Sequence, residues 1–228
     1  MSEAIRPSSL DHIALWTDAR KPLADFACDH LAMHVIEETD TFTLVGVDAK
    51  LGKLTLFDAE GPRERGSLER IALRVGDLNA ALEGLRAEVA DDGVARFEGP
   101  GGVPLALVER DGVDFDLDHV VLRMPDPDAA LSALESMGFQ RRDGGLAVAD
   151  RELRVVEADR VEGERPLLNH IALLVDSAGE VQRDAEQRGV EVDDVKDAPN
   201  TLAVFLQKKR TLEKLRHFPI NSGNINKT

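Results

Sequence analysis

The sequence predicts an α+β fold made of four βαβββ units. Two observations carry that expectation. Near-equivalent apolar stretches recur at Leu10-Asp-His-Ile-Ala-Leu15, Leu68-Glu-Arg-Ile-Ala-Leu73, Leu117-Asp-His-Val-Val-Leu122 and Leu168-Asn-His-Ile-Ala-Leu173. Each is followed by a helical stretch and then by alternating segments punctuated with Gly and Asp. The openings at 10, 68, 117 and 168 lie 58, 49 and 51 residues apart, and a unit of that size cannot bury a sheet face alone, so copies must pair.

In the first unit Pro22 sits near the start of a helix running to about Leu31, with strands expected at Met33–Thr39, Thr41–Val47 and Lys53–Asp58. In the second, Asp77 is positioned as N-cap of a helix over 78–85, whose leucines at 78, 82 and 85 share a face, and Val103–Glu109 closes the unit. In the third, Asp126-Pro-Asp precedes a helix over 129–137 with Gly138 at its C-terminal cap, and Glu152–Glu157 closes. In the fourth, Ser177 opens the helix and Gly189 ends it. Turn signals at Gly61-Pro62, 99–102, Asp111-Gly112 and 143–145 separate the strands. Neighbouring copies are expected to pair, giving one domain over 9–112, a second over 113–217, and a frayed tail of turn composition over 218–228.

Composition bounds the function. The 43% hydrophobic content over 228 residues fills a globular core. A net charge of -15 repels nucleic acid and anionic lipid surfaces. The single cysteine, Cys28, excludes an intrachain disulfide and fits a reducing compartment. Neither a signal-peptide core nor an apolar run of membrane-spanning length is present, so a cytoplasmic protein without a membrane partner is expected.

These residues resemble the vicinal oxygen chelate superfamily, which includes glyoxalase I, the type I extradiol dioxygenases and the fosfomycin and bleomycin resistance proteins. The resemblance rests on four strands of the form Leu-x-His-Ile-Ala-Leu and on closing strands of the form Leu-Glu-Leu, and it covers nearly the whole chain. It implies two glyoxalase-like domains with cupped mixed sheets flanked by helices. It also places metal ligands at the third residue of each opening strand and at the centre of each closing strand. Those positions read His12, Thr55, Arg70 and Ala106 in the first pair of units, and His119, Arg154, His170 and Glu213 in the second. The first cup should be metal-free. The second offers two imidazoles and a carboxylate, His119, His170 and Glu213, which suits Fe(II), or Mn(II) or another divalent metal.

By that resemblance the chain is a metal-dependent enzyme like the type I extradiol dioxygenases, acting on a small substrate that chelates the metal through vicinal oxygens. The alternatives are a glyoxalase-like isomerase or lyase, and a metal-free small-molecule binder of the bleomycin-resistance kind. Two departures bear on ring cleavage: no His lies between His119 and His170, and the chain has no Tyr. His217 is then the remaining histidine for acid–base work in the second half, and Arg154 a candidate for pairing with an anionic substrate. From Lys208 onward the composition turns basic, and Thr211–His217 reads equally as a closing strand or as a short amphipathic helix. Trp16 shares a strand face with His12 and Ala14, where it either stacks on a ligand or packs in the core. His30 and His34 have one-turn spacing but read as a solvated surface. Edge strands and the habits of the superfamily point to a homodimer.

Overall fold

A computed structural model describes residues 7–112, 115–136, 139–142, 144–159, 165–187, 201–205 and 220–221. The first unit comprises β1 (Ser9–Thr17), α1 (Arg20–His30), β2 (His34–Glu38), β3 (Phe42–Gly46) and β4 (Lys53–Asp58). The second has β5 (Leu68–Val75), α2 (Leu78–Ala81), β6 (Glu88–Val89), β7 (Val94–Gly99) and β8 (Val103–Glu109). The third has β9 (Asp116–Met124), α3 (Pro127–Ser136), β10 (Arg141–Arg142), β11 (Gly145–Val148) and β12 (Arg151–Glu157), and the fourth β13 (Leu168–Leu174), α4 (Ala178–Gln187), β14 (Thr201–Phe205) and β15 (Ile220–Asn221).

Helix starts follow the expected capping chemistry. The Asp77 carboxylate accepts from the Ala80 N–H, Asp126 from Ala129, and the Ser177 hydroxyl from Glu180, each taking up an N–H that the first turn leaves without a partner. α2 ends at Ala81, short of the expected 85. Gly84, at φ +80, leaves the helical region, and Leu78 from the helix and Leu82 and Leu85 from the turn that follows still pack on the core. The caps expected at Gly138 and Gly189 lie outside the described residues.

The pairing of units differs from the neighbour-with-neighbour expectation. One sheet runs β2-β3-β4-β1-β13-β14-β15 and joins the first unit to the fourth; the other runs β10-β11-β12-β9-β5-β8-β7-β6 and joins the second to the third. Domains of units one plus two and three plus four are therefore not how the strands associate. The physical reason is that each opening strand has one edge taken by its own closing strand, β1 by β4 and β5 by β8, and must find an antiparallel partner on the other edge. β1 finds β13, and β5 finds β9. In the expected tail, Ile220 and Asn221 pair with Val204 and Ala203 as an edge strand.

The two sheets share one core. Ile13 and Leu15 of β1, Ile71 and Leu73 of β5, Val120 and Leu122 of β9, and Ile171 and Leu173 of β13 are buried in a single cluster, with α1 and α3 adding Leu23, Ala27, Leu131 and Leu134. Alternation along a strand sends the intervening residues to the opposite face. On the first sheet that face gathers Ala14, Trp16, Leu44, Phe42 and Phe57, and on the second Ala72, Val94, Ala106 and Val108, each a separate small cluster. The molecule thus has two cups turned away from each other across a common core. None of the described helices is long and apolar enough to cross a membrane.

The pairing has a direct test. A fragment ending at residue 112 loses β13 from the edge of β1 and β9 from the edge of β5, so it should be unfolded or self-associating by circular dichroism and size exclusion. A monomeric fragment with a cooperative unfolding transition would contradict this strand order.

Candidate functional site

Each central strand pair contains two bulges. In β1 against β13, Leu10 faces Leu173 and His12 faces Ala172, which leaves Asp11 over; Ala14 faces His170 and Leu15 faces Leu168, which leaves Asn169 over. In β5 against β9 the residues left over are Glu69 and Asp118. A bulge sets two residues against one and bends the strand, which curves the sheet into a cup. It also relaxes strict alternation, so the polar residue just before each histidine reaches back to the ring.

Asp11 Oδ2 lies 2.7 Å from His12 Nδ1, Asp118 Oδ1 lies 2.7 Å from His119 Nδ1, and Asn169 Oδ1 lies 3.0 Å from His170 Nδ1. These oxygens only accept, so each neutral ring carries its proton on Nδ1 and exposes a lone pair on Nε2. Burial opposes charge on Asp11, but hydrogen bonds from His12 and from Lys53 Nζ at 2.7 Å hold its carboxyl below the usual 3.8. Asp118 is buried too, and is held low by His119, Arg110 and Arg74.

The first cup brings together His12 and His170, residues that the expected pairing had kept apart. Their Nε2 atoms stand 3.0 Å from each other, with the rings edge to face. Burial, reinforced by the His12 ring, pushes His170 down to about 3. Thr55, paired with Ala14 beside His170, has a buried hydroxyl with no hydrogen-bond partner among the described residues. An aromatic wall borders these groups: Trp16 and Phe57 have ring centres 5.2 Å apart, Phe42 and Phe57 5.9 Å, and the Arg63 guanidinium lies 5.8 Å from the Trp16 ring. Trp16 is thus packed against Phe57 while remaining half-buried.

The second cup holds Arg70, Ala106, His119 and Arg154. His119 and His170 are not brought together. They lie in different sheets, on faces turned away from the shared core in which Val120 and Ile171 pack, so one ion cannot touch both rings. The expectation of a metal site in the second half, with a metal-free first half, is corrected in that respect: His170 belongs with His12. Arg154 faces Val121 in β9 and donates from Nε to Glu152 at 2.6 Å, on the opposite side of the core from His170. Glu213 and His217 lie outside the described residues. His30 ends α1 and His34 begins β2, with no metal-ligand cluster of three or more His, Cys, Asp or Glu among the described residues.

No protein-family model and no curated protein matches this sequence. Solved structures do. A Bacillus subtilis protein provisionally described as a dioxygenase superposes with TM-score 0.71 at 16% identity, covering 97% of this chain and 87% of that one. Glyoxalase I of Zea mays gives 0.68 at 14% identity, covering 93% of this chain and 90% of that one. This chain has a glyoxalase-like βαβββ fold. The cppA protein of Streptococcus pneumoniae is similar over 96% of this chain and 99% of its own, with TM-score 0.60 at 14% identity. At these identities the likeness fixes the fold and leaves the chemistry to the side chains.

The buried imidazoles give the fold a pH dependence. The folded state keeps His170 neutral down to about 3, while the unfolded chain takes up a proton near the ordinary 6.5. The unfolded state therefore binds more protons between those values, and stability falls as pH drops through that window. His119 is shifted in the same direction by burial. Asp11 and Asp118, held low, add a further loss only below the ordinary carboxylate value of 3.8. In metal-free protein the urea midpoint should decline steadily between about pH 7 and about pH 5, and His170→Asn should flatten that decline. An unchanged slope in the variant would show that His170 is not held neutral.

Proposed function

We propose that the first cup is the active site of a metal-dependent enzyme, with His12 and His170 as ligands, acting on a small substrate that binds through two adjacent oxygens. The reading rests on two buried imidazoles, brought together by the pairing of the first and fourth units, whose Nε2 atoms stand 3.0 Å apart. The two nitrogens are close enough for both to bind one divalent ion. Asp11 and Asn169 supply the outer hydrogen bonds that orient ligating rings and fix the tautomer.

Glu213 is the third donor in this proposal, because it aligns with the centre of the other closing strands. Two imidazoles and one carboxylate on a face leave positions for substrate oxygens. When bound, such an ion supplies the charge that lowers the pKa of a coordinated hydroxyl and stabilises the resulting anion. The chain's own contribution is positional. Trp16, Phe57 and Phe42 give an apolar wall suited to a flat substrate body, Arg63 sits over Trp16 where it can meet negative charge, and the Thr55 hydroxyl is available to a substrate oxygen.

Dioxygenase chemistry like that of the type I extradiol enzymes is the first choice within this reading, with Fe(II) the expected ion and Mn(II) the substitute. Non-oxidative isomerase or lyase chemistry is the second. Protein prepared anaerobically with Fe(II) should carry about one equivalent of metal. His12→Ala and His170→Ala should each lose most of it, whereas His119→Ala should retain it. Metal that leaves with His119 and stays with His12 would refute the assignment. With metal in place, oxygen uptake on a panel of catechols marks the oxidative reading; bound metal without oxygen uptake assigns the site to the non-oxidative class.

A further inference from the structure

The second cup has the same architecture as the first and the opposite chemistry. Register sets out its face in rows: Arg96, Ala106, Ala72, His119 and Glu152 face one another across five strands, and Arg70, Val121 and Arg154 form the adjoining row. At the centre is His119, only 1% exposed. Its Nδ1 is committed to Asp118, and its Nε2 is buried with no partner among the described residues. A buried acceptor left unpaired costs roughly 1–3 kcal/mol, so a site that keeps one has a reason to do so.

The neighbours of His119 decide what that reason is. Arg70 is half-buried, its Nε is buried without a partner, and the guanidinium has no hydrogen bond or ion pair among the described residues. Arg96 and Arg154 are closer to neutral overall, being paired with Asp92 and Glu152. Arg70 has no ion pair among the described residues, and Asp92 and Glu69 act on it only from beyond ion-pair distance. Burial and the nearby Arg96 and Arg154 charges make its own charged state harder to hold, and Arg154 and Arg70 both act against protonation of His119. The charges of Arg154 and Arg70 both disfavour a cation at His119, against the Asp118 carboxylate on its other nitrogen. An anion would relieve both the unpaired charge of Arg70 and the mutual repulsion, while the Nε2 lone pair calls for a hydrogen-bond donor. Ala72 and Ala106, the small residues of the central row, are fully buried beside Val94 and Val108.

We propose that the concave face of the second sheet binds a small oxyanion that also carries a hydroxyl, a 2-hydroxycarboxylate or a singly protonated phosphate, with Arg70 taking the charge and His119 Nε2 accepting from the hydroxyl. Both ligand types share that chemistry, an anionic oxygen beside an O–H. The site is independent of the metal reading, because His119 and Arg70 lie across the core from His12 and His170.

The test uses the metal-free full-length chain and follows thermal unfolding with sodium glycolate, sodium acetate or inorganic phosphate at about 10 mM, each against sodium chloride at equal ionic strength. Glycolate or phosphate should raise the midpoint, and acetate, which has the charge without the hydroxyl, should bind at least about tenfold more weakly by calorimetry. A response to glycolate alone assigns a hydroxy acid; a response to phosphate alone assigns a phosphate group. Arg70→Met should abolish the response and raise the ligand-free midpoint, since it removes an unpaired half-buried charge. Should that variant fail to fold, Arg70→Lys, which keeps the charge but loses the fork, should weaken binding about tenfold. The response should survive in His12→Ala, which separates this cup from the first. Absence of any response beyond chloride, or a response undiminished in the Arg70 variants, would overturn the proposal.

Discussion

The bulge at the second residue of each opening strand is the constraint from which the rest of the molecule follows. Without it, Asp11, Asp118 and Asn169 would point away from the ring that follows them. With the extra residue, the strand bends, the sheet curves, and a polar oxygen closes on Nδ1. One local irregularity thus makes the cup and sets the tautomer of the group inside it. The same bulge explains why a buried carboxylate is tolerated at all: Asp11 is satisfied by His12 and Lys53, and Asp118 by His119, Arg74 and Arg110. The exception is informative. In the second unit the bulged residue is Glu69, which lies 3.8 Å from Arg123, and Arg70 has no carboxylate within ion-pair distance among the described residues.

The exchange of partners between units divides the charge of the two cups. Pairing the third unit with the fourth would have put the Arg154 guanidinium beside His170. The observed order puts Thr55 near His170 instead, and places Arg70, Arg96 and Arg154 on the face that holds His119. The two proposals rest on that division, one on a cup with two imidazoles and the other on a cup with arginines. The shared core keeps the two fields apart, since the leucines and isoleucines of all four opening strands lie between them.

The unit boundaries, the helix caps and most strands were legible in the sequence because each is decided by neighbours within a few residues. β4 and β8 match their expected spans, and Asp77, Asp126 and Ser177 cap as read. The order in which units associate was not legible from periodicity, because all four opening strands present the same apolar pattern and any two satisfy one another's edges. One signal was available in the charges. Among the ligand positions, the two arginines fall in the second and third units, and only the pairing of first with fourth keeps both away from the cup with two histidines. For that reason the sequence reading set His170 beside His119, whereas the structure sets it beside His12. The coupling of Asp11 to His12 was written in the Leu-Asp-His motif but depends on a bulge, which no spacing rule reveals.

An anion-binding cup in a chain of net charge -15 involves no contradiction once distance is considered. At physiological ionic strength the field of an exposed charge decays over about 8 Å, so carboxylates scattered over the surface act weakly on a buried group. What a ligand in the second cup meets is local: the unpaired guanidinium of Arg70, the paired ones of Arg96 and Arg154, and a neutral imidazole with its lone pair turned inward. The distant acidity acts instead on encounter, slowing the approach of anions and lessening as salt is added. Affinity set by the cup and association set by the surface are therefore opposed in sign, and only the second carries a strong dependence on ionic strength.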